Sequence, residues 1–163
     1  MTRQEIADQV ANATIEGTEA VGPERRAFLD AAFLEHLGAE MAGDVPAVVA
    51  TFAKQGGHLS FNGTRCETPE ELTKFHKAFG WDGEGLFSDI RGEIVRVLYT
   101  HNSMTVEFFV RANVDVALGD AATGRPVAFP MCTIYQFNDD GKLYSERAYA
   151  DSGALLPQPI LSL

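Results

Sequence analysis

His36, His58, His76 and His101 are the only side chains in this 163-residue chain whose unperturbed titration falls near neutral pH. His36 lies on the apolar face of a helical pattern, His58 opens the alternating stretch His58-Leu-Ser-Phe61, and Asp115 interrupts a long β-rich run. The chemistry such groups offer is proton transfer. A carboxylate beside an imidazole stabilises the imidazolium and orients the ring, whereas burial favours the neutral form, so the two effects oppose each other. General acid–base catalysis near neutral pH needs a group balanced in this way. Because His36, His58 and Asp115 come from separate elements with no helical histidine pair, no metal site is expected. Thr123-Gly124 lacks a phosphate-cradling glycine pattern and no dinucleotide or flavin fingerprint is present, so no cofactor is expected.

The elements that must position these groups follow from periodicity and punctuation. Residues 3–15 read as a short helix carrying Ile6, Val10 and Ile15, broken between Gly17 and Gly22. Pro23 suits the first turn of a longer helix, on which Leu29, Phe33, Leu37 and Met41 recur at three- and four-residue spacing beside Ala32 and His36. Gly43 ends it, Asp44 caps a second helix over Val45 to Phe52, and the Asn62-Gly63 turn follows the short strand. Thr68-Pro-Glu-Glu71 is a capping box launching a helix to about Phe79, which Gly80 terminates. Two β-rich runs, about Phe87–Thr100 and Met104–Leu118, precede a closing hairpin around Asn138-Asp-Asp-Gly141. Helices first and antiparallel strands last make an α+β order. One domain over 1–163 is expected, with 1–22 as an N-terminal extension or short helix and 152–163 as a C-terminal tail.

Composition narrows the partners. A net charge of −10 opposes nucleic acid, whose affinity comes largely from Lys and Arg on phosphates. No apolar run is long enough for a membrane span and the first residues are polar, so a cytoplasmic location is expected. Cys66 and Cys132 read as reduced, packed thiols. His76 and His101 are expected to face solvent, and Tyr135 and Tyr149 to pack in the core or on a dimer surface.

The order and spacing of Ala39-Glu-Met-Ala-Gly-Asp-Val45 running to Ala50-Thr-Phe-Ala53, the Thr68 helix, and the hairpin ending in Arg147-Ala-Tyr-Ala-Asp151 resemble the nuclear-transport-factor-2-like superfamily, in particular its SnoaL-like small-molecule branch. The resemblance implies N-terminal helices packed in the concave face of a strongly curved antiparallel sheet, a cone with a pocket, and pairing as a homodimer across the sheet. It does not fix a reaction. Relative to limonene-epoxide hydrolases, Asn113 stands in place of an Arg and Ala148 in place of an Asp, so that hydrolytic triad is incomplete. Ala148 also removes the acid of the SnoaL-type cyclases. The three key positions of ketosteroid isomerases hold His36, Ser60 and Thr133.

Aligned on that family, His58, Ser60, Asn113, Asp115, Phe129, Met131 and Thr133 turn into the pocket, with His36 entering from the long helix. This resemblance gives His58 and Asp115 the catalytic roles and His36, Ser60, Asn113, Phe129, Met131 and Thr133 substrate contacts. Arg111 could hold a substrate carboxylate or form a rim salt bridge, and Asp151 is expected to be structural. The implied protein is a cofactor-independent lyase, dehydratase, isomerase or cyclase acting on a hydrophobic or aromatic molecule of polyketide, terpenoid or steroid type. The alternative is a non-catalytic ligand-binding or dimeric accessory protein of the same fold. Whether Trp81 to Gly85 forms a lid is left open.

Overall fold

The computed structural model describes residues 1–16, 21–115 and 124–151. Helix α1 (Arg3–Asn12) and strand β1 (Thr14–Glu16) precede the long helix α2 (Pro23–Met41) and the short α3 (Val45–Ala50). Strands β2 (Leu59–Phe61) and β3 (Thr64–Cys66) lead into α4 (Pro69–Phe79). Four longer strands complete the described chain: β4 (Phe87–Tyr99), β5 (Ser103–Val114), β6 (Arg125–Phe137) and β7 (Leu143–Ala150). The ends of the expected strand at 116–118, Thr123 and the tail at 152–163 lie outside the described residues.

Local chemistry explains most boundaries. Pro23 occupies the first turn of α2, and Asp44 caps α3 by accepting from the Ala47 amide at 3.0 Å. Around α4 both halves of the capping box form, Thr68 on the Glu71 amide and the Glu71 carboxylate on the Thr68 amide. Asn62 and Gly63 both adopt positive φ (45° and 88°), the conformation a two-residue hairpin requires, and this pairs β3 with β2. Strand β3 extends the expected short strand into a hairpin. The first helix is shorter than expected: Thr14-Ile15-Glu16 leaves it and pairs in parallel with Arg96–Leu98 of β4, where a β-branched side chain fits a pleated surface.

The seven strands form one curved, unclosed sheet in the order β1-β4-β5-β6-β7-β2-β3. The β4 to β7 pairs are antiparallel, while β1 joins β4 and β2 joins β7 in parallel. On β5, Met104, Val106, Phe108, Val110, Ala112 and Val114 are all buried, so the even-numbered residues form its core face. Helix α2 packs on that face through Phe33, whose ring meets Tyr135 of β6 edge-on at 5.2 Å. No helix among the described residues is long and apolar enough to cross a membrane.

Gly80 sets the exit of α4 toward β4. Its φ is +120°, and a Cβ placed there would lie 1.9 Å from the Phe87 carbonyl oxygen. Gly80→Ala should therefore lower unfolding stability by about 2 kcal/mol or more, measured by urea denaturation, because neither backbone segment can yield as a flexible side chain would.

Candidate functional site

A polar cluster is buried where α2, α3, α4 and β7 meet. His36 sits one helical turn before Glu40 on α2, both on the buried face. Its Nδ1 lies 2.7 Å from Thr51 Oγ1, and that hydroxyl donates to the Val48 carbonyl at 2.6 Å. Having given its proton to Val48, Thr51 accepts from His36, so Nδ1 carries a hydrogen and Nε2 is left facing the acids. Glu146 Oε2 is 3.3 Å from that Nε2, and Glu40 Oε1 is 3.6 Å from it. His76 approaches from α4: its Nδ1 bonds the Leu72 carbonyl at 2.6 Å, and its Nε2 is 3.6 Å from the same Glu40 oxygen.

These contacts are ion-pair distances, longer than well-formed hydrogen bonds. His36 Nε2, His76 Nε2 and Glu146 Oε2 are buried without a hydrogen-bond partner among the described residues. Burial pushes the His36 pKa down, but the charges of Glu146 and Glu40, with a smaller contribution from Glu35, outweigh it and the net shift is upward. Burial, followed by the same two carboxylates, raises the Tyr135 phenol well above its ordinary value, so Tyr135 remains a neutral hydroxyl at physiological pH. The wholly buried Thr133 hydroxyl lacks a well-directed partner, yet it lies close enough to Tyr135 to oppose that shift.

The cluster opens on one side into an apolar cavity. Glu40, Glu146 and Tyr135 line it together with Leu37, Leu59, Phe61, Phe75, Phe79, Trp81, Phe108, Val110 and Met131, and the half-buried Met1 and Met41 also border it. Space open to the centres of water-sized spheres is about 40 Å3. One water needs roughly 10–15 Å3 on that measure, so the cavity holds a few waters or a compact organic group. Phe61, Phe75 and Phe79 also border a second cavity that reaches Phe87 and Phe129. His36, Glu40 and Glu146 offer donor atoms within 4.8 Å of one another, a set able to hold a divalent cation. Separate elements thus converge on a candidate ligand set that includes one of the expected histidines.

The structure does not bring His58 and Asp115 together. Strand pairing aligns Met104, Tyr135, Glu146 and Leu59 in one row across the sheet. His58 adjoins this row, whereas Asp115 follows the far end of β5, roughly 35 Å of extended strand beyond Met104. Asp115 is exposed. His58 Nδ1 instead meets the Gly56 carbonyl at 3.2 Å, and its own carbonyl accepts from the Glu146 amide.

Leu59 and Phe61 line the cavity, which turns Ser60 to the opposite face. Arg111 and Asn113 likewise leave the core face of β5. Arg111 pairs with Glu93 at 3.3 Å and Asn113 donates to Asp89 at 2.9 Å. Met131 does line the main cavity, Phe129 borders the second, and Thr133 is buried beside Tyr135. His76 is wholly buried rather than solvent-facing, because it shares the stripe Leu72, His76 and Phe79 on α4. Glu40 and Glu146 carried readable signals: Glu40 is four residues from His36 on a helix, and Glu146 is two residues before Ala148 on a strand.

The chain belongs to the SnoaL-like domain family, whose match spans residues 25–146. Its fold is similar to that of AclR from Streptomyces galilaeus, named as a candidate hydroxylase, at TM-score 0.65 and 17% identity over 80% of this chain and 93% of that one. A candidate SnoaL-like polyketide cyclase from Jannaschia sp. CCS1 gives TM-score 0.65 at 16% identity, covering 80% and 94%. A protein of ketosteroid isomerase-like fold from Catenulispora acidiphila, in complex with trimethylamine, gives 0.63 at 16%, covering 78% and 90%. At these identities the likeness is one of fold. No curated protein sequence matches the chain.

Because His36 binds its proton more tightly folded than unfolded, its contribution to stability is full below about pH 6.5 and is lost as pH rises through the raised folded value. Unfolding free energy measured by denaturant titration between pH 6 and 9 should therefore fall with pH. The same series on His36→Gln should show a flatter slope.

Proposed function

We propose that this protein is a small-molecule enzyme that moves a proton on a compact organic substrate held against Glu146. The observation that carries this reading is the double placement of Glu146: it lines the apolar cavity, and its Oε2 stands 3.3 Å from the fully buried Nε2 of His36. A carboxyl group that meets substrate on one side and an imidazole on the other can exchange a proton in either direction. Thr51 fixes the ring orientation, so His36 acts behind Glu146 as a positioning residue and proton reservoir. Tyr135 supplies a neutral hydroxyl to a substrate oxygen as charge develops there. Glu40 holds both imidazoles in reach.

This chemistry covers lyase, dehydratase, isomerase and cyclase reactions. Family membership supports a small-molecule site, and the polyketide cyclase and ketosteroid isomerase-like neighbours share its framework. The trimethylamine held by one neighbour adds small amines to the classes worth testing. The second reading, a non-catalytic binding protein, draws its support from Ala148, which lines the cavity where the resemblance implies an acid. A homodimer through the outer sheet face is also proposed, where Val95 and Tyr149 are the exposed large apolar side chains among the described residues.

The test is deuterium uptake and dehydration, followed by NMR, on small enolisable and β-hydroxy ketones in D2O. Glu146→Gln should lower kcat/KM about a hundredfold or more, and Tyr135→Phe about tenfold or more, with circular dichroism unchanged. Full activity in folded Glu146→Gln would move the chemistry elsewhere. Loss in His58→Ala and Asp115→Asn alone would return it to those residues. Sedimentation should give a dimer for the native chain and a monomer for Tyr149→Lys.

A further inference from the structure

Charge at the cavity floor is unevenly matched. Glu40 and Glu146 both line the cavity, and among its described lining residues there is no Lys, Arg or His. His36 stands behind them and, as imidazolium, neutralises one carboxylate. The other is left to His76 Nε2, 3.6 Å from Glu40 Oε1, or to whatever enters the cavity. Glu146 is only 5% exposed and lines that space, and its Oε2 lacks a hydrogen-bond partner among the described residues. A buried carboxylate left this way favours a donor that also carries positive charge.

The walls select the kind of cation. Phe61, Phe75, Phe79 and Trp81 form one aromatic cluster, with Phe79 and Trp81 stacked at 5.5 Å and Phe61 edge-on to Phe79 at 5.6 Å. Aromatic faces attract weakly hydrated organic ammonium groups. Apolar walls offer nothing to the water shell that a small hard cation keeps. The volume fits a compact head group. An anion would meet two carboxylates, with no cation among the described lining residues to offset them.

We infer that the cavity binds a small organic ammonium group, its N–H on Glu146 and its alkyl groups against the Phe79–Trp81 wall. Resting on the proton-transfer reading, this names the substrate class of the same site, a tertiary amine or a molecule bearing one.

The test uses trimethylammonium, with tert-butanol as the neutral isostere and pivalate as the anionic one, by isothermal titration calorimetry. Trimethylammonium should bind saturably, with one site per chain. Tert-butanol and pivalate should bind at least about tenfold more weakly. Trp81→Leu, at the half-buried rim, and Glu146→Gln should each weaken binding about tenfold, with folding checked by circular dichroism. Equal binding of tert-butanol would reduce the site to an apolar hole and overturn the inference. So would no ammonium binding, or stoichiometric zinc in the purified protein. The ketone assay reads proton transfer with neutral probes, so failure of amine binding leaves that reading standing, and failure of turnover leaves the binding result standing.

Discussion

The described structure is organised around two carboxylates buried against one imidazole. His36 lies between Glu40 on α2 and Glu146 on β7, His76 is a second neighbour of Glu40, and Thr51 at the end of α3 orients His36 by accepting its Nδ1 hydrogen. Removing one member of a buried charged set leaves the others uncompensated, at about 3–5 kcal/mol. That constraint fixes how α2 can sit on the sheet. Rotating the helix would separate His36 from β7 and withdraw Phe33 from Tyr135. The same contacts that lock the packing also leave polar atoms incompletely satisfied at the cavity floor. A protein built for stability alone would close them.

Features decided within a few residues were legible. The capping box at Thr68, the Asp44 cap, the Asn62-Gly63 turn and the Gly80 stop each depend on near neighbours, and each forms as read. The interior of the site depended on contacts between distant segments. Glu40 and His76 were available from helical spacing, yet neither reads as part of a site until a partner from another element is known. Glu40 faces His76 across 36 residues of chain, and nothing local to either announces the other.

Strand parity is a different kind of miss. Along β5 the even positions Met104, Val106, Phe108, Val110, Ala112 and Val114 are apolar, and along β2 Leu59 and Phe61 alternate with His58 and Ser60. That alternation alone assigns the inward face correctly. Family alignment assigned the opposite face on both strands and the right face on β6, where Met131 lines the cavity and Thr133 is buried. A one-residue slip reverses every side chain of a strand. Where a distant alignment and the hydrophobic pattern of the chain disagree, the pattern carries the stronger constraint, because it is tied to burial.

The closing hairpin shows how far such a shift changes the chemistry. Ala148 faces the cavity in the row of Thr133 and Phe61, so an acid there would act beside those residues. Glu146 keeps the same face but stands two residues earlier, about 7 Å along the strand, in the row of Tyr135 and Leu59. That displacement sets the carboxyl beside His36 and in a different row from position 148. The scaffold therefore preserves a cavity and an inward acid while changing the acid's neighbours. Since those neighbours set its proton affinity and the charge it presents, likeness of fold alone does not fix what an inward acid can do.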